Sequence, residues 1–297
     1  MNREEKFPLN QKNGGLAFSA MIVIYLFIIL FLSPLVDVLF LKNSTAYVLV
    51  GSTFSIIAMA IVILVKAISD KNQIEKPVFN LNVFKWQYLI IAILLCGGML
   101  FGLGFLNQLV ANLLVLLGAN VNNGANYVID TPLKFIAFSF FIAVLPAVFE
   151  EIFFRSLLLS SLKKAKPITA VITVALCFAL YHATATQFVY QFIFGALLCV
   201  LAIISKSVIP CIIAHFLNNF IIILFEYLKI KINLSNPLII AVGCIALLIA
   251  VAFIIFTLKK QGAKNSGESV KAFYFPYGVL GLGACLALII GSLFIGG

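Results

Sequence analysis

The chain has 297 residues, of which 63% are hydrophobic and 10% charged. A soluble domain carries about 25% charged residues, so this composition excludes a soluble globular protein and indicates a polytopic membrane protein. The net charge of +10 lies in short Lys-rich clusters between apolar runs. This is the pattern of cytoplasmic membrane loops, and we therefore expect the lipid bilayer, and no nucleic acid, as a partner.

Nine apolar runs follow one another along the chain, and a membrane-crossing helix needs about 20 such residues. The predicted spans are 16–41, 46–68, 86–117, 133–162, 168–185, 188–204, 208–228, 238–258 and 277–295. The third run exceeds one straight span, and its four glycines indicate close helix packing or a bend. The sequence thus predicts an all-α, polytopic transmembrane bundle of about eight or nine helices with a polar site inside it.

The polar residues divide the chain into four parts. These are a cytoplasmic tail (1–15), N-terminal transmembrane helices (16–132), a core that carries the unusual polar residues (133–228) and C-terminal transmembrane helices (229–297). Lys and Arg alternate between loops in a way that favours a cytoplasmic N-terminus. The strong excess of Lys over Arg is typical of an AT-rich bacterial genome, so we expect an integral protein of a bacterial cell membrane.

All six cysteines lie inside apolar runs, and no Cys-x-x-Cys spacing occurs. This distribution predicts small buried side chains rather than disulfides or a cysteine-ligated metal.

The fourth run contains the most unusual stretch of the sequence. Glu150, Glu151 and Arg155 fall within six residues of an otherwise apolar segment. Each charge costs roughly 2.5–3.5 kcal/mol at the centre of a membrane helix. Residues four apart share a helix face, so Glu151 and Arg155 are predicted to pair, which leaves Glu150 as a candidate general base. The alternative is a salt-bridge cluster that only holds helices together.

The chain has two histidines, and both lie in spans near this cluster. Phe178 and His182 are four residues apart, as are His215 and Asn219, so each pair shares a helix face. The competing interpretation is that the histidines are core residues and that Asn219 is a helix–helix hydrogen bonder. For Asn218 we expect the role of a helix–helix hydrogen bonder.

Three signatures occur in order along the core: Glu150-Glu151-x-x-x-Arg155, Phe178-x-x-x-His182 and His215-x-x-x-Asn219. In these residues the sequence resembles the CAAX protease and bacteriocin-processing family of intramembrane endopeptidases, which includes the type II CAAX prenyl endopeptidases. The resemblance covers about 133–228, and Gly195 suits the small residue that the family often carries between the last two signatures.

The resemblance implies a proteolytic site within the bundle. Glu150 would activate a water molecule with help from His182. His215 and Asn219 would hydrogen-bond the oxyanion of the scissile carbonyl, as amide hydrolysis requires. The residues that support this geometry would be Glu151, Arg155 and Phe178.

The family has also been described as metal-dependent. Zinc held by Glu150, His182 and His215 would match the three-ligand count of catalytic sites. His-Glu-x-x-His is missing, so we favour a glutamate-activated water without an obligatory metal.

The predicted spans contain one conflict. At about 1.5 Å per residue, Glu150 and His182 would differ in membrane depth by about 15 Å in a hydrocarbon core of about 30 Å. Either the fourth helix protrudes from the membrane or the predicted limits are wrong, because the site requires the two residues to be level.

The favoured function is an intramembrane endopeptidase that cleaves a prenylated, CAAX-type protein or a peptide such as a bacteriocin. One alternative is a non-catalytic membrane scaffold or regulator that retained the fold. Another is a proton-coupled transporter that uses the carboxylates and histidines as a relay. Paired broken helices in both halves, which many transporters show, are missing from the sequence pattern. The residues do not select a substrate.

Overall fold

The computed structural model describes residues 10–42, 44–70, 81–119, 121, 128–261 and 267–294. We number nine helices in this described part. They are α1 (Gln11–Leu39), α2 (Thr45–Asp70), α3 (Gln87–Leu116), α4 (Pro132–Ser161), α5 (Pro167–Tyr181), α6 (Phe188–Ser205), α7 (Ile209–Tyr227), α8 (Pro237–Gln261) and α9 (Lys271–Leu293).

Eight of the nine helices in the described residues are long and apolar enough to cross a membrane. The exception is α5, whose 15 residues span only about 22 Å, less than the ~30 Å hydrocarbon core. The predicted all-α transmembrane bundle is confirmed, and the chain is an integral membrane protein. α5 ends at Tyr181, earlier than the predicted residue 185, and Ala183 just beyond it has a left-handed backbone with φ 50°, which a continuing helix does not allow.

α1 begins at Gln11, five residues before the predicted boundary at residue 16. The side chain of Asn10 accepts a hydrogen bond from the backbone N–H of Asn13 at 2.8 Å, which caps the helix. Gly15 allows close packing on α9, because a Cβ at this position would collide with the carbonyl of Phe273. The predicted tail is therefore helical from Gln11 onward, and residues 1–9 lie outside the described residues.

The glycines of α3 pack closely on α8. The helix contains a π-helical stretch at Gly98–Leu103. A Cβ on Gly102 would lie 2.8 Å from the backbone N of Cys244, and one on Gly98 would lie 2.7 Å from Cβ of Leu247. The close packing that the sequence predicted is confirmed at these two glycines.

α4 is the helix that carries the two carboxylates, and its winding is irregular on both sides of them. The π-helical stretches Ser139–Val144 and Ile152–Leu158 flank an α-helical stretch, Leu145–Glu151. A π-helical turn adds a residue to the turn and changes the direction of the following side chains, and such turns are frequent at functional sites.

Two buried apolar clusters meet around the polar residues. The first joins α1, α2, α4, α5 and α9 and includes Phe178. The second joins α3, α6, α7 and α8 and includes Phe194. The ring of His215 lies between them, with centroid distances of 6.0 Å to Phe178 and 5.8 Å to Phe194. The polar site is therefore enclosed by protein rather than by lipid.

Candidate active site

The two carboxylates of α4 are buried and have different surroundings. Glu151 has no exposed surface, and its Oε1 lies 2.8 Å from Nη1 of Arg155, whose side chain is also fully buried. The pair predicted from the four-residue spacing is thus present. Its two charges are held in a charge-assisted hydrogen bond, which is stronger than a neutral one. Removal of either partner would leave the other charge buried without compensation.

Arg155 is held by α5 and α6 as well as by Glu151. Its Nη2 donates to the carbonyl of Gly195 at 3.3 Å, and its guanidinium lies 4.3 Å from the centroid of the Phe178 ring. Gly195 permits this arrangement, because a Cβ there would lie 3.0 Å from Cδ1 of Phe178 and 3.4 Å from Cα of Ala175. The small residue singled out in the sequence is therefore required by close helix packing.

His215 is oriented by Glu151 rather than by Glu150. Its Nδ1 lies 2.7 Å from Oε1 of Glu151. An ionised carboxylate only accepts hydrogen bonds, so Nδ1 carries the proton and donates. The other ring nitrogen, Nε2, then faces Glu150, at 3.9 Å from its Oε2. Glu151 thus binds Arg155 and His215 through the same oxygen atom.

His182 has the same orientation toward Glu150, from the opposite helix. Its Nδ1 donates to the carbonyl of Phe178 at 2.7 Å, because a carbonyl oxygen can only accept. Its Nε2 lies 3.9 Å from Oε2 of Glu150. The ring also packs edge-on against Phe178, with centroids 4.6 Å apart. The shared face predicted for Phe178 and His182 is present, and the backbone of Phe178 fixes the imidazole.

Glu150 is the carboxylate on which these contacts converge. Its Oε1 accepts from the hydroxyl of Tyr181 at 3.5 Å, a long hydrogen bond. Its Oε2 is buried and makes no hydrogen bond within the described part of the chain. This oxygen faces Nε2 of both His182 and His215 at 3.9 Å. This separation is too long for a direct hydrogen bond, and a water molecule can connect the groups instead.

The conflict in depth between Glu150 and His182 is absent from the structure, since their side chains approach to 3.9 Å. Glu150 lies eleven residues before the end of α4 at Ser161, and His182 lies fifteen residues after the start of α5 at Pro167. Measured from the loop that the two helices share, these positions are roughly 16 and 22 Å deep. α4 has 30 residues and a length of about 45 Å, more than the ~30 Å hydrocarbon core, so the structure favours the first alternative, a fourth helix that extends beyond the membrane core.

Asn218 and Asn219 both make hydrogen bonds between helices. Asn218 accepts from the hydroxyl of Tyr190 on α6 at 2.7 Å and donates to Oδ1 of Asn219 at 3.2 Å. Asn219 in turn donates to the carbonyl of Ile142 on α4 at 3.2 Å. The helix–helix role expected for Asn218 is present. Asn219 makes a similar contact and has a second N–H on the same nitrogen.

Two tyrosines of this site were not singled out in the sequence. Tyr181 precedes His182 and donates to Glu150, and Tyr190 donates to Asn218. The available signal was their position in apolar runs, because a buried tyrosine hydroxyl usually finds a hydrogen-bond partner. That signal gives no indication of which partner it is.

The residues considered for zinc are Glu150, His182 and His215. With zinc–ligand bonds of about 2.0–2.2 Å, donor atoms of a tetrahedral site lie roughly 3.3 Å apart. The two nitrogens are each 3.9 Å from the carboxylate oxygen. Across the described residues, no group of three His, Cys, Asp or Glu side chains has metal-binding geometry. The donor types suit zinc but the separations do not, and we derive no step through a metal.

Residues 132–221 match the family model described as type II CAAX prenyl endopeptidase Rce1-like. The match runs from the first residue of α4 into α7 and includes Glu150, His182, His215 and Asn219. It confirms the resemblance to CAAX proteases that the three signatures carried. No curated protein and no solved structure is a significant match to the chain.

Proposed function

Because residues 132–221 are similar to the Rce1-like CAAX endopeptidases, we propose that this protein is an intramembrane endopeptidase that hydrolyses a peptide bond with a water activated by Glu150. The single observation that carries the proposal is the convergence of a buried carboxylate oxygen and two imidazole nitrogens. Oε2 of Glu150 faces Nε2 of His182 and Nε2 of His215 at 3.9 Å each, inside a site enclosed by protein.

A water molecule bound between Glu150 and His182 would be oriented for attack. One of its O–H groups donates to Oε2 of Glu150 and the other to Nε2 of His182, so that an oxygen lone pair is directed at the substrate. Glu150 takes a proton as the oxygen adds to the scissile carbonyl. The protonated carboxyl then gives this proton to the leaving amine, and the carbon–nitrogen bond breaks.

The oxyanion formed in this step needs donors, and we assign this role to His215 and Asn219. Nδ1 of His215 already donates to Glu151, so Nε2 can donate only when the ring is an imidazolium. Asn219 supplies the second donor from the same face of α7, one turn away.

We propose a peptide or lipidated protein as the substrate, with a prenylated, CAAX-type C-terminus as the first class to test. Processing of a bacteriocin-like peptide in a bacterial membrane is the second. In both cases the N-terminus of the enzyme would be cytoplasmic, in keeping with the Lys-rich loops.

The test uses purified full-length protein in nanodiscs and an internally quenched peptide in which a farnesylated cysteine is followed by the last three residues. The parent is expected to cleave the peptide, and Glu150→Gln to lose at least 100-fold in kcat. Glu226→Gln is the matched control, because Glu226 is exposed on α7. Equal rates for Glu150→Gln and the parent would overturn the proposal.

A further inference from the structure

A directional chain of hydrogen bonds crosses three helices and ends at the backbone of α4. The hydroxyl of Tyr190 donates to Asn218, Asn218 donates to Asn219, and Asn219 donates to the carbonyl of Ile142, at 2.7, 3.2 and 3.2 Å. Each side-chain amide in the chain accepts through its oxygen and donates through its nitrogen. The orientation of the Asn219 amide is therefore set at both ends.

The last acceptor in this chain depends on a proline. In a regular α-helix, the carbonyl of Ile142 would accept from the backbone N–H of residue 146. Residue 146 is Pro146, which has no N–H, and it stands at the start of the α-helical stretch Leu145–Glu151, directly after the π-helical stretch that contains Ile142. In the α-helical register the proline supplies no donor to this carbonyl, and Asn219 on α7 is the donor that the structure shows.

We propose that Pro146 is a positioning residue for the oxyanion donor: it keeps the Ile142 carbonyl accessible, and that carbonyl fixes the amide of Asn219. The inference rests on the proposed function. One N–H of Asn219 is bound to Ile142 and its oxygen is bound to Asn218. The plane of the amide is thus fixed, and so is the direction of the second N–H, which is the group that would meet the substrate. A donor held in place before the reaction needs no reorganisation during it.

Replacement of Pro146 by alanine would restore a backbone N–H four residues after Ile142. This N–H would compete with Asn219 for the carbonyl and allow the amide to rotate. Small displacements of a catalytic donor can reduce rates by about 100-fold. We expect Pro146→Ala to lower kcat by roughly 10- to 100-fold with less than a twofold change in KM, because substrate binding does not use this donor.

The first experiment measures thermal unfolding of four full-length proteins: the parent, Pro146→Ala, Asn219→Ala and the double variant. In the parent, Asn219→Ala removes the donor to Ile142 and is expected to lower Tm by about 2 °C or more. In the Pro146→Ala background, the new backbone N–H of residue 146 donates to the Ile142 carbonyl. Asn219→Ala should therefore lower Tm by less than half of its effect in the parent. Equal shifts in both backgrounds would overturn the inferred contact, whether or not the protein cleaves the peptide.

The second experiment measures cleavage of the farnesylated peptide by the same four proteins. The losses in kcat of Pro146→Ala and Asn219→Ala should not multiply, because both act through the same donor. Pro34→Ala, at a proline inside α1, is the matched control and should keep the kcat of the parent. Multiplied losses, or a full kcat for Pro146→Ala, would overturn the positioning role. Equal rates for Glu150→Gln and the parent would instead remove the proposed function, and the positioning role with it.

Discussion

His215 donates to Glu151 through Nδ1 at 2.7 Å, although Glu150 is the carboxylate that both imidazoles face. Glu151 therefore accepts hydrogen bonds from two side chains on one oxygen, since Nη1 of Arg155 also lies 2.8 Å from its Oε1. Glu150 keeps an oxygen that no side chain or backbone group occupies within the described residues. Two adjacent carboxylates of one helix thus have separate tasks, one structural and the other available for chemistry.

These separate tasks predict that substitution of Glu151 destabilises the protein far more than substitution of Glu150. Glu151→Gln removes the charge that compensates Arg155 and is expected to destabilise the protein by about 3–5 kcal/mol, the usual result of breaking a buried pair. Glu150→Gln keeps the shape of the side chain and removes no direct ion pair. Its decrease in Tm should therefore be less than a fifth of the decrease that Glu151→Gln causes. Thermal unfolding in detergent measures both. Similar losses of stability from the two variants would contradict the division of roles.

Tyr181→Phe tests whether the hydroxyl of Tyr181 contributes to the orientation of Glu150. The variant removes the hydroxyl, which faces Glu150 and Ser55, and leaves the ring, which packs on Phe154 with centroids 5.6 Å apart. A net hydrogen bond is worth about 1 kcal/mol, or roughly a fivefold change in kcat. We expect this loss in kcat together with a decrease in Tm no larger than that of a control variant that loses one buried hydroxyl. Tyr274→Phe is the matched control, because its hydroxyl bonds to Thr173 and to none of the residues assigned to the reaction.

The sequence predicted the membrane bundle and the set of polar residues because both depend on local patterns. Apolar run length sets the helices, and a four-residue spacing brings Glu151 to Arg155 and Phe178 to His182. The family signatures then grouped residues from α4, α5 and α7, and the structure has Glu150 within 3.9 Å of both imidazoles.

The contacts that the sequence did not predict are those between helices. The bond from His215 to Glu151 crosses from α7 to α4 over 64 positions of sequence. Spacing within one helix carries no information about it. The depth of Glu150 cannot be predicted from the sequence for a related reason: the length of an apolar run does not determine how far α4 extends beyond the bilayer. Tertiary packing decides both.

Gly195→Ala should disturb the contact between α5 and α6. The new Cβ would lie 3.0 Å from the Phe178 ring, which stacks on Arg155 and contacts His182. Overpacking of this kind costs about 1–3 kcal/mol, and we expect a lower Tm together with a reduced kcat. Gly97→Ala is the matched control, since a Cβ there meets nothing within 4 Å. A stable and fully active Gly195→Ala protein would show that Phe178 can move without consequence for the site.

Chelation tests whether a metal ion takes part in cleavage. Nε2 of His182 and Nε2 of His215 each lie 3.9 Å from Oε2 of Glu150. This distance is longer than the roughly 3.3 Å between the ligand atoms of tetrahedral zinc. A water hydrogen-bonded to Glu150 and His182 is compatible with the longer distance. We therefore expect cleavage of the farnesylated peptide to keep at least 80% of its rate after dialysis against EDTA and then 1,10-phenanthroline. Elemental analysis of the dialysed protein establishes that metal has been removed. If activity is lost and stoichiometric zinc restores it, the expectation is contradicted and Glu150, His182 and His215 are assigned as zinc ligands. If zinc does not restore the activity, the chelator has damaged the protein, and a lower Tm detects that damage.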